Sequence, residues 1–213
     1  MCMERRNNYE IQTAQARGLF CQRDLQTLTQ MHRLQTDASW LYLRLFGSDY
    51  RVGRADGHIF RQQDGCWVCA DGFNETLTIF DLLCDGKPDR HPAGTWRTTA
   101  DFGGHVHREH AFDDAADPSS LEQKADRQPE QLARACCALG GTPVGGADCA
   151  FVVPFFEDLC VMVQFWHGDE EFLPRLQFLW DANADQYLRY ETMYYAMNLM
   201  RERLLAGMQP VNG

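Results

Sequence analysis

The hydrophobic positions of this chain change from a helical period to a strand period and then back. Over residues 8–35 they recur every three or four residues, which predicts two helices, and Asp24 can cap the second of them. Over residues 39–46 leucines alternate with other side chains, which indicates a strand with one apolar face. The first quarter of the chain therefore contains both kinds of element.

Glycine and proline divide the middle of the chain into further short elements. Ala55-Asp-Gly57 is a hairpin signal, Gly86 and Pro88 stop a helix, and Pro129 can open one. The predicted elements are, in order, a turn at 47–49, a hairpin whose strands are 50–52 and 58–60, and helices over 74–84 and 130–139.

The longest apolar stretch predicts a hairpin near the C-terminus. A final helix is expected to begin within 181–185 and to end at Gly207, whereas residues 85–120 are irregular and rich in Gly, Pro, Asp and His. Interspersed helices and hairpins favour a single α+β domain, with a largely antiparallel or mixed sheet, flanking helices and a long C-terminal helix. The expected parts are the hairpin strands 159–166 and 172–180, a flexible start at 1–7, a globular body over 8–207 and a tail at 208–213.

Charge and composition restrict the classes of partner. The chain has a formal net charge of -10, and its only lysines are Lys87 and Lys124, so phosphate backbones and anionic membrane surfaces are poor partners. No apolar run approaches the roughly 20 residues that cross a bilayer, and none of signal-peptide length follows the start. We expect an acidic, soluble, cytoplasmic protein with no nucleic-acid or membrane partner.

The nine cysteines do not indicate a disulfide framework. Their number is odd and their spacing irregular, and several lie in apolar stretches where free cysteine packs as a small hydrophobe. Cys66-Trp-Val-Cys69 is half of a zinc ribbon or a redox dithiol, but no second half follows, and on a strand the two sulfurs would point to opposite faces. Coincidence is the simpler interpretation of this pair.

The most distinctive stretch is Trp166-His-Gly-Asp-Glu-Glu-Phe172, at the tip of the predicted apolar hairpin. Three consecutive carboxylates beside a core are costly unless they are paired or bound to a ligand. On an extended tip Asp169 and Glu171 point the same way and Glu170 points opposite. With Asp181 or Asp185, the first two would form a site for a hard divalent cation such as Mg²⁺ or Ca²⁺, for a cationic ligand or for proton transfer. The structural alternative is a capped turn whose carboxylates accept backbone N–H bonds or pair with Arg175. The ligand-binding candidates are Trp96, Trp166, Asp169, Glu170, Glu171 and Asp181.

A second candidate lies in the irregular segment. On a strand, His105 and His107 would share one face, and His110 would close a site for Zn²⁺ or Fe. The alternative is a polar surface loop, because the three histidines lack the spacing of an established metal motif.

The order of several short motifs resembles an uncharacterised bacterial family, classed as a domain of unknown function and common in anaerobes. Its strongest match is Phe165-Trp-His-Gly-Asp-Glu-Glu-Phe172, a W-x-G-D-E-E-F motif. Some members resemble fusions to an iron–sulfur module, which the two cysteines near this N-terminus, Cys2 and Cys21, do not provide. Weaker matches are Leu77–Leu83, Gly94–Trp96, Asp101–Gly104, Ala138–Gly141, Gly146–Asp148 and Phe178–Asp181.

The resemblance implies a soluble domain near one-carbon or redox metabolism in anaerobes, and it brings no catalytic residue. Three functions follow as hypotheses. The first is an accessory protein that binds a small molecule or a divalent metal, the second a metal-assisted hydrolase or transferase that uses the acidic tip, and the third a subunit that binds a partner protein.

Overall fold

The computed structural model describes residues 8–103 and 120–209, and within them the chain folds as the predicted α+β domain. In these two ranges, six α-helices pack with two antiparallel five-stranded sheets rather than with one. The predictions for 1–7 and for most of the tail concern positions outside these ranges. The helices are α1 Asn8–Cys21, α2 Leu25–Met31, α3 Phe73–Asp85, α4 Leu121–Arg127, α5 Pro129–Ala138 and α6 Tyr190–Gly207.

The first sheet follows the alternation of the sequence. Leucines 41, 43 and 45 of its second strand are buried, as predicted, and the hairpin around Ala55-Asp-Gly57 is confirmed. In spatial order its strands are β1 Gln35–Thr36, β2 Trp40–Leu45, β3 Ser48–Gly53, β4 Ile59–Gln63 and β5 Cys66–Cys69.

The turn predicted at 47–49 lies one residue earlier. Leu45 pairs with Ser48, so the turn residues are Phe46 and Gly47, with φ values of 47° and 70°. Two positive φ angles match the twist of a tight hairpin. Phe46 is buried and its N–H donates to the carbonyl of Phe155 at 3.0 Å, which joins this hairpin to the second sheet. The position of the turn therefore depends on packing against the second sheet, which the local sequence does not show.

The second sheet contains the predicted apolar hairpin. Its long central strand alternates between buried and half-buried side chains along its whole length. Its strands are β6 Trp96–Thr98, β7 Thr142–Pro143, β8 Cys149–Phe156, β9 Leu159–Trp166 and β10 Arg175–Asp181, in the spatial order β6-β10-β9-β8-β7.

The prediction that the last helix begins within 181–185 is wrong. Asp181 ends β10, a 3₁₀ turn occupies Ala184–Gln186, and α6 begins at Tyr190. The carboxylate of Asp181 caps the chain that enters β6 instead of the helix, accepting N–H bonds from Ala93 and Gly94.

One hydrophobic core connects both sheets with the helices. Helix α3 is buried over Thr76–Leu83 because it contacts both α1 and α6. Within the described ranges, none of the helices has the length and apolar character that a membrane span requires.

Candidate functional site

The acidic tip, residues 167–174 between β9 and β10, is held to the domain by neighbouring carboxylates. Asp126 accepts hydrogen bonds from the Gly168 N–H at 3.1 Å and from His167 Nδ1 at 2.8 Å, and the His167 N–H donates to Asp148 at 2.8 Å. The bond from His167 lowers the pKa of the Asp126 carboxyl below its ordinary value. The tip therefore leaves the sheet in a fixed direction.

Asp169 closes the turn at the end of this tip. Its Oδ1 accepts the N–H groups of Glu171 and Phe172, each at 2.8 Å, and its own N–H donates to the Phe172 carbonyl at 2.9 Å. A Cβ on Gly168 would lie 2.8 Å from Pro174, so the bend also needs a glycine. These contacts match the capped-turn alternative, because the turn already uses one Asp169 oxygen.

The side chains of residues 170–173 face solvent. Glu170 and Glu171 are exposed, and neither forms an ion pair with Arg175, whose guanidinium lies 5.5 Å from the centre of the Trp166 ring. Phe172 and Leu173 are also exposed, by 68% and 58%. Two large apolar side chains beside two free carboxylates were not foreseen, because the alternation suggested that Phe172 starts a buried strand. Pro174 is the missed signal, since it has no N–H for a strand ladder.

The structure does not bring the six predicted ligand-binding residues together. Trp166 and the tip carboxylates lie where β10 begins, whereas Asp181 ends β10 and pairs with Trp96 of β6. The seven residues of β10 separate the two groups by about 20 Å at the usual strand rise. Asp181 is 3% exposed, and its carboxylate accepts N–H groups from Ala93, Gly94 and Asn183 at 2.7–2.8 Å. It is thus placed to organise a loop rather than to bind a ligand with the tip.

The predicted metal ligands lie outside the described residues. His105, His107 and His110 fall within 104–119, so their arrangement stays a prediction. Within 8–103 and 120–209 no group of three or more His, Cys, Asp or Glu side chains has metal-binding geometry. Cys66 and Cys69 are free and exposed on β5, three residues apart on one strand, which places them on opposite faces.

A cavity of about 380 Å³ lies between α1, α3 and the start of α6. At its wall Asp81 accepts hydrogen bonds from Thr192 at 2.6 Å and Arg189 at 2.8 Å, and burial raises the pKa of this carboxyl above its ordinary value. Burial also raises the pKa of the nearby Cys84 thiol to about 11, which keeps it protonated and unreactive at neutral pH. The lone aspartate within Ile79-Phe-Asp-Leu-Leu83 was the sequence signal for this polar wall.

A second polar cluster joins α2, the chain after α3 and the β8–β9 turn. Glu157 accepts two bonds from Arg90, at 2.8 Å from Nε and 2.5 Å from Nη2, and lies 2.9 Å from His32 Nδ1. His32 Nε2 lies 3.1 Å from the carbonyl oxygen of Leu83. A carbonyl only accepts, so the proton is on Nε2. Both ring nitrogens are therefore occupied, which suits a structural role rather than that of a general base.

Comparison with known proteins agrees with the resemblance at the level of the family. Residues 24–203 match the family described as "Domain of unknown function (DUF3786)", which covers most of the chain. No curated protein and no solved structure matches the chain.

Proposed function

The chain belongs to the DUF3786 family, and we propose that it is an interaction subunit that docks on a partner protein through its acidic tip. The observation that supports this function best is the exposure of Phe172 and Leu173 on a turn whose backbone is fixed by hydrogen bonds. A flexible loop would fold such side chains back or lose entropy on binding, whereas a fixed turn presents them ready for contact.

The chemistry of the tip defines the partner. Burying Phe172 and Leu173 in an apolar pocket is favourable by about 1.5–3 kcal/mol for each side chain. Glu170 and Glu171 stand next to them and would meet basic side chains at the rim of that pocket. Charges at a rim mainly speed association and select the partner, while the buried apolar pair sets the affinity. The partner is thus a protein with an apolar pocket surrounded by arginine or lysine.

Site-specific cross-linking identifies this partner. A photoreactive phenylalanine derivative at position 172 is expected to capture one protein in cells that express the chain, and the same derivative at Val144 is expected not to. Val144 is also an exposed apolar residue, 39% accessible, but it lies on the loop before β8. Cross-links that form equally at both positions contradict the proposal.

Affinity for the purified partner then tests the role of each side chain. Phe172→Ser with Leu173→Ser is expected to weaken binding about 100-fold, which corresponds to about 2.7 kcal/mol. Glu170→Gln with Glu171→Gln is expected to slow association several-fold and to reduce its salt dependence. Val144→Ser is the matched control and should bind normally. All of these positions are exposed, so melting temperatures should stay within about 2 °C of the wild type, and normal binding by the double serine variant excludes docking through the tip.

The second candidate function is metal binding. Its ligands would be His105, His107 and His110. Protein purified without a histidine tag and without oxygen is expected to contain one Zn²⁺ or Fe per chain by elemental analysis. His105→Ala with His107→Ala should remove it, because two of the three imidazoles are lost. His167→Ala is the control, since His167 belongs to the tip and donates to Asp126. Metal-free wild-type protein whose melting temperature is unchanged by Mg²⁺, Ca²⁺ and Zn²⁺ excludes this candidate and the metal-assisted reaction together.

The accessory role that we propose belongs to the one-carbon or redox metabolism of anaerobes. Its support is that the W-x-G-D-E-E-F motif resembles that of a family common in anaerobes. Most of this motif lies in the tip. The identity of the cross-linked partner tests this assignment directly, because an enzyme of that metabolism should be the protein captured at position 172.

A further inference from the structure

The solvent-facing side of the first sheet carries a cluster of aromatic rings around one arginine. Strands β2 to β5 place Trp40, Tyr42, Phe60 and Trp67 on this side, with Arg51 of β3 at the centre. The guanidinium carbon of Arg51 lies 4.0 Å from the ring centre of Trp40, 4.8 Å from that of Trp67 and 5.1 Å from that of Phe60. Side chains on the outer face of a sheet are usually polar, so this cluster requires an explanation.

The charge of Arg51 is not neutralised by the protein. Among the described residues no carboxylate lies within salt-bridge distance of it, and its Nε is buried without a hydrogen-bond partner. The rings contact the guanidinium by cation–π attraction, which leaves its hydrogen-bond donors unused. Arg51 therefore adds a positive charge to this side of the sheet without a carboxylate bound to it.

A cavity of about 430 Å³, wide open to solvent, lies beside this cluster. Tyr42 and Trp67 line it and also belong to the cluster, and Arg33 and Arg44 add two positive charges against the carboxylate of Asp49. Arg44 is 3.7 Å from Asp49, whereas Arg33 has no ion pair among the described residues. Asp37 adds a second carboxylate, which accepts the Tyr42 hydroxyl at 2.7 Å, so three guanidinium groups, with that of Arg51, face two carboxylates. The local charge is thus positive in a chain of net charge -10. The volume is within the range of small-molecule sites.

We propose that this cavity is a binding site for a small anion that contains a flat ring and a carboxylate or phosphate group. The ring would stack on Trp67 and Tyr42, because planar apolar groups pack favourably against aromatic faces. The oxyanion would accept hydrogen bonds from Arg33, with Arg51 adding its charge behind Trp67. This role is independent of docking through the tip, which lies on the other sheet.

Calorimetric titration with two pairs of probes tests the proposal. Benzoate and AMP carry both a ring and an oxyanion, whereas benzamide and adenosine have the ring alone. At least one of the anions is expected to bind with a dissociation constant below about 1 mM, and its uncharged counterpart at least tenfold more weakly. Arg33→Gln should weaken binding of the anion about tenfold, Trp67→Leu at least as much, and Arg51→Gln several-fold.

The matched control is Arg97→Gln, an exposed arginine on β6 of the second sheet, which should leave binding unchanged. Arg33 is exposed, so its variant keeps the test valid even if replacement of Arg51 or Trp67 lowers stability. The proposal is overturned if neither anion binds below about 1 mM. Equal binding of charged and uncharged probes, or equal losses in the Arg33 and Arg97 variants, also overturns it.

Discussion

Replacing Glu157 with glutamine is expected to lower the free energy of unfolding by about 3 kcal/mol. This is the lower end of the range for a broken buried ion pair, because the Glu157 side chain is still 22% exposed. The Arg90 side chain is only 5% exposed and would remain in the domain as a charge without a carboxylate. Glutamine keeps the size of the side chain and the left-handed backbone at this position, where φ is 52°, so the variant isolates the charge.

The contacts of Arg90 explain why this loss is large. Besides Glu157, the guanidinium donates to the carbonyls of Lys87 and Met31 and lies 2.8 Å from His32 Nδ1. The cluster thereby ties α2 and the chain after α3 to the β8–β9 turn. Arg90 donates to each of the two carboxylate oxygens, and glutamine keeps only one of these acceptors, so its NH₂ group would face the other donor.

The destabilisation caused by Glu157→Gln should become smaller as the pH falls. Burial raises the pKa of Glu157, but the close contacts with His32 and Arg90 outweigh it, and the pKa lies below its ordinary value. A lowered carboxyl pKa stabilises the fold above the unfolded value of about 4.3, and this stabilisation is lost as the pH falls through the folded value. The difference between wild type and Glu157→Gln should therefore be full at pH 7 and shrink below about pH 4.

Denaturant unfolding at pH 7 and below about pH 4 measures the difference in stability between wild type and Glu157→Gln. Glu170→Gln is the matched control. Glu170 is exposed on the tip and should change stability by no more than about 0.5 kcal/mol. If Glu157→Gln is as stable as this control at pH 7, the buried cluster does not stabilise the fold. A loss that persists unchanged at low pH would assign the effect to packing instead of charge.

The elements with strong local patterns were predictable, and those that depend on distant contacts were not. The β9–β10 hairpin follows from two long apolar runs, and α5 from a proline at its start and glycines at its end. The start of α6 was misplaced because residues 181–185 were assigned to the helix, whereas the Asp181 carboxylate bonds to chain almost 90 residues away. Only the tertiary structure reveals such a partner.

The candidate site was also predictable only where its features have a local sequence pattern. Charge pattern and motif singled out the tip, and the structure keeps Asp169 and Trp166 there. Two features had no local signal: the exposure of Phe172, which depends on how the turn ends, and the aromatic cluster around Arg51, which needs four strands in register. Alternation assigns one face of each strand to the core, but it does not show that side chains on the other face meet each other.

Asp181→Asn is expected to destabilise the protein by about 3 kcal/mol, since hydrogen bonds to a charged group contribute about 1.5–3 kcal/mol each. Its Oδ1 accepts the N–H groups of Ala93 and Asn183, and its Oδ2 accepts that of Gly94. Asparagine offers one carbonyl oxygen, so its amide NH₂ would face the third N–H at a distance of 2.7 Å in the native geometry. Because Asp181 pairs with Trp96, the loss should loosen β6 first, which hydrogen exchange of its amides would detect.

Asp169→Asn is the matched control at the other end of β10. The asparagine Oδ1 can accept the same two N–H groups of the exposed turn, so stability should change by no more than about 0.5 kcal/mol. The two aspartates were grouped by sequence as members of one site, and this comparison separates them. Equal losses in both variants would show that the tip turn stabilises the fold as strongly as the buried carboxylate, while a neutral Asp181→Asn would mean that this carboxylate is present for a reason other than folding.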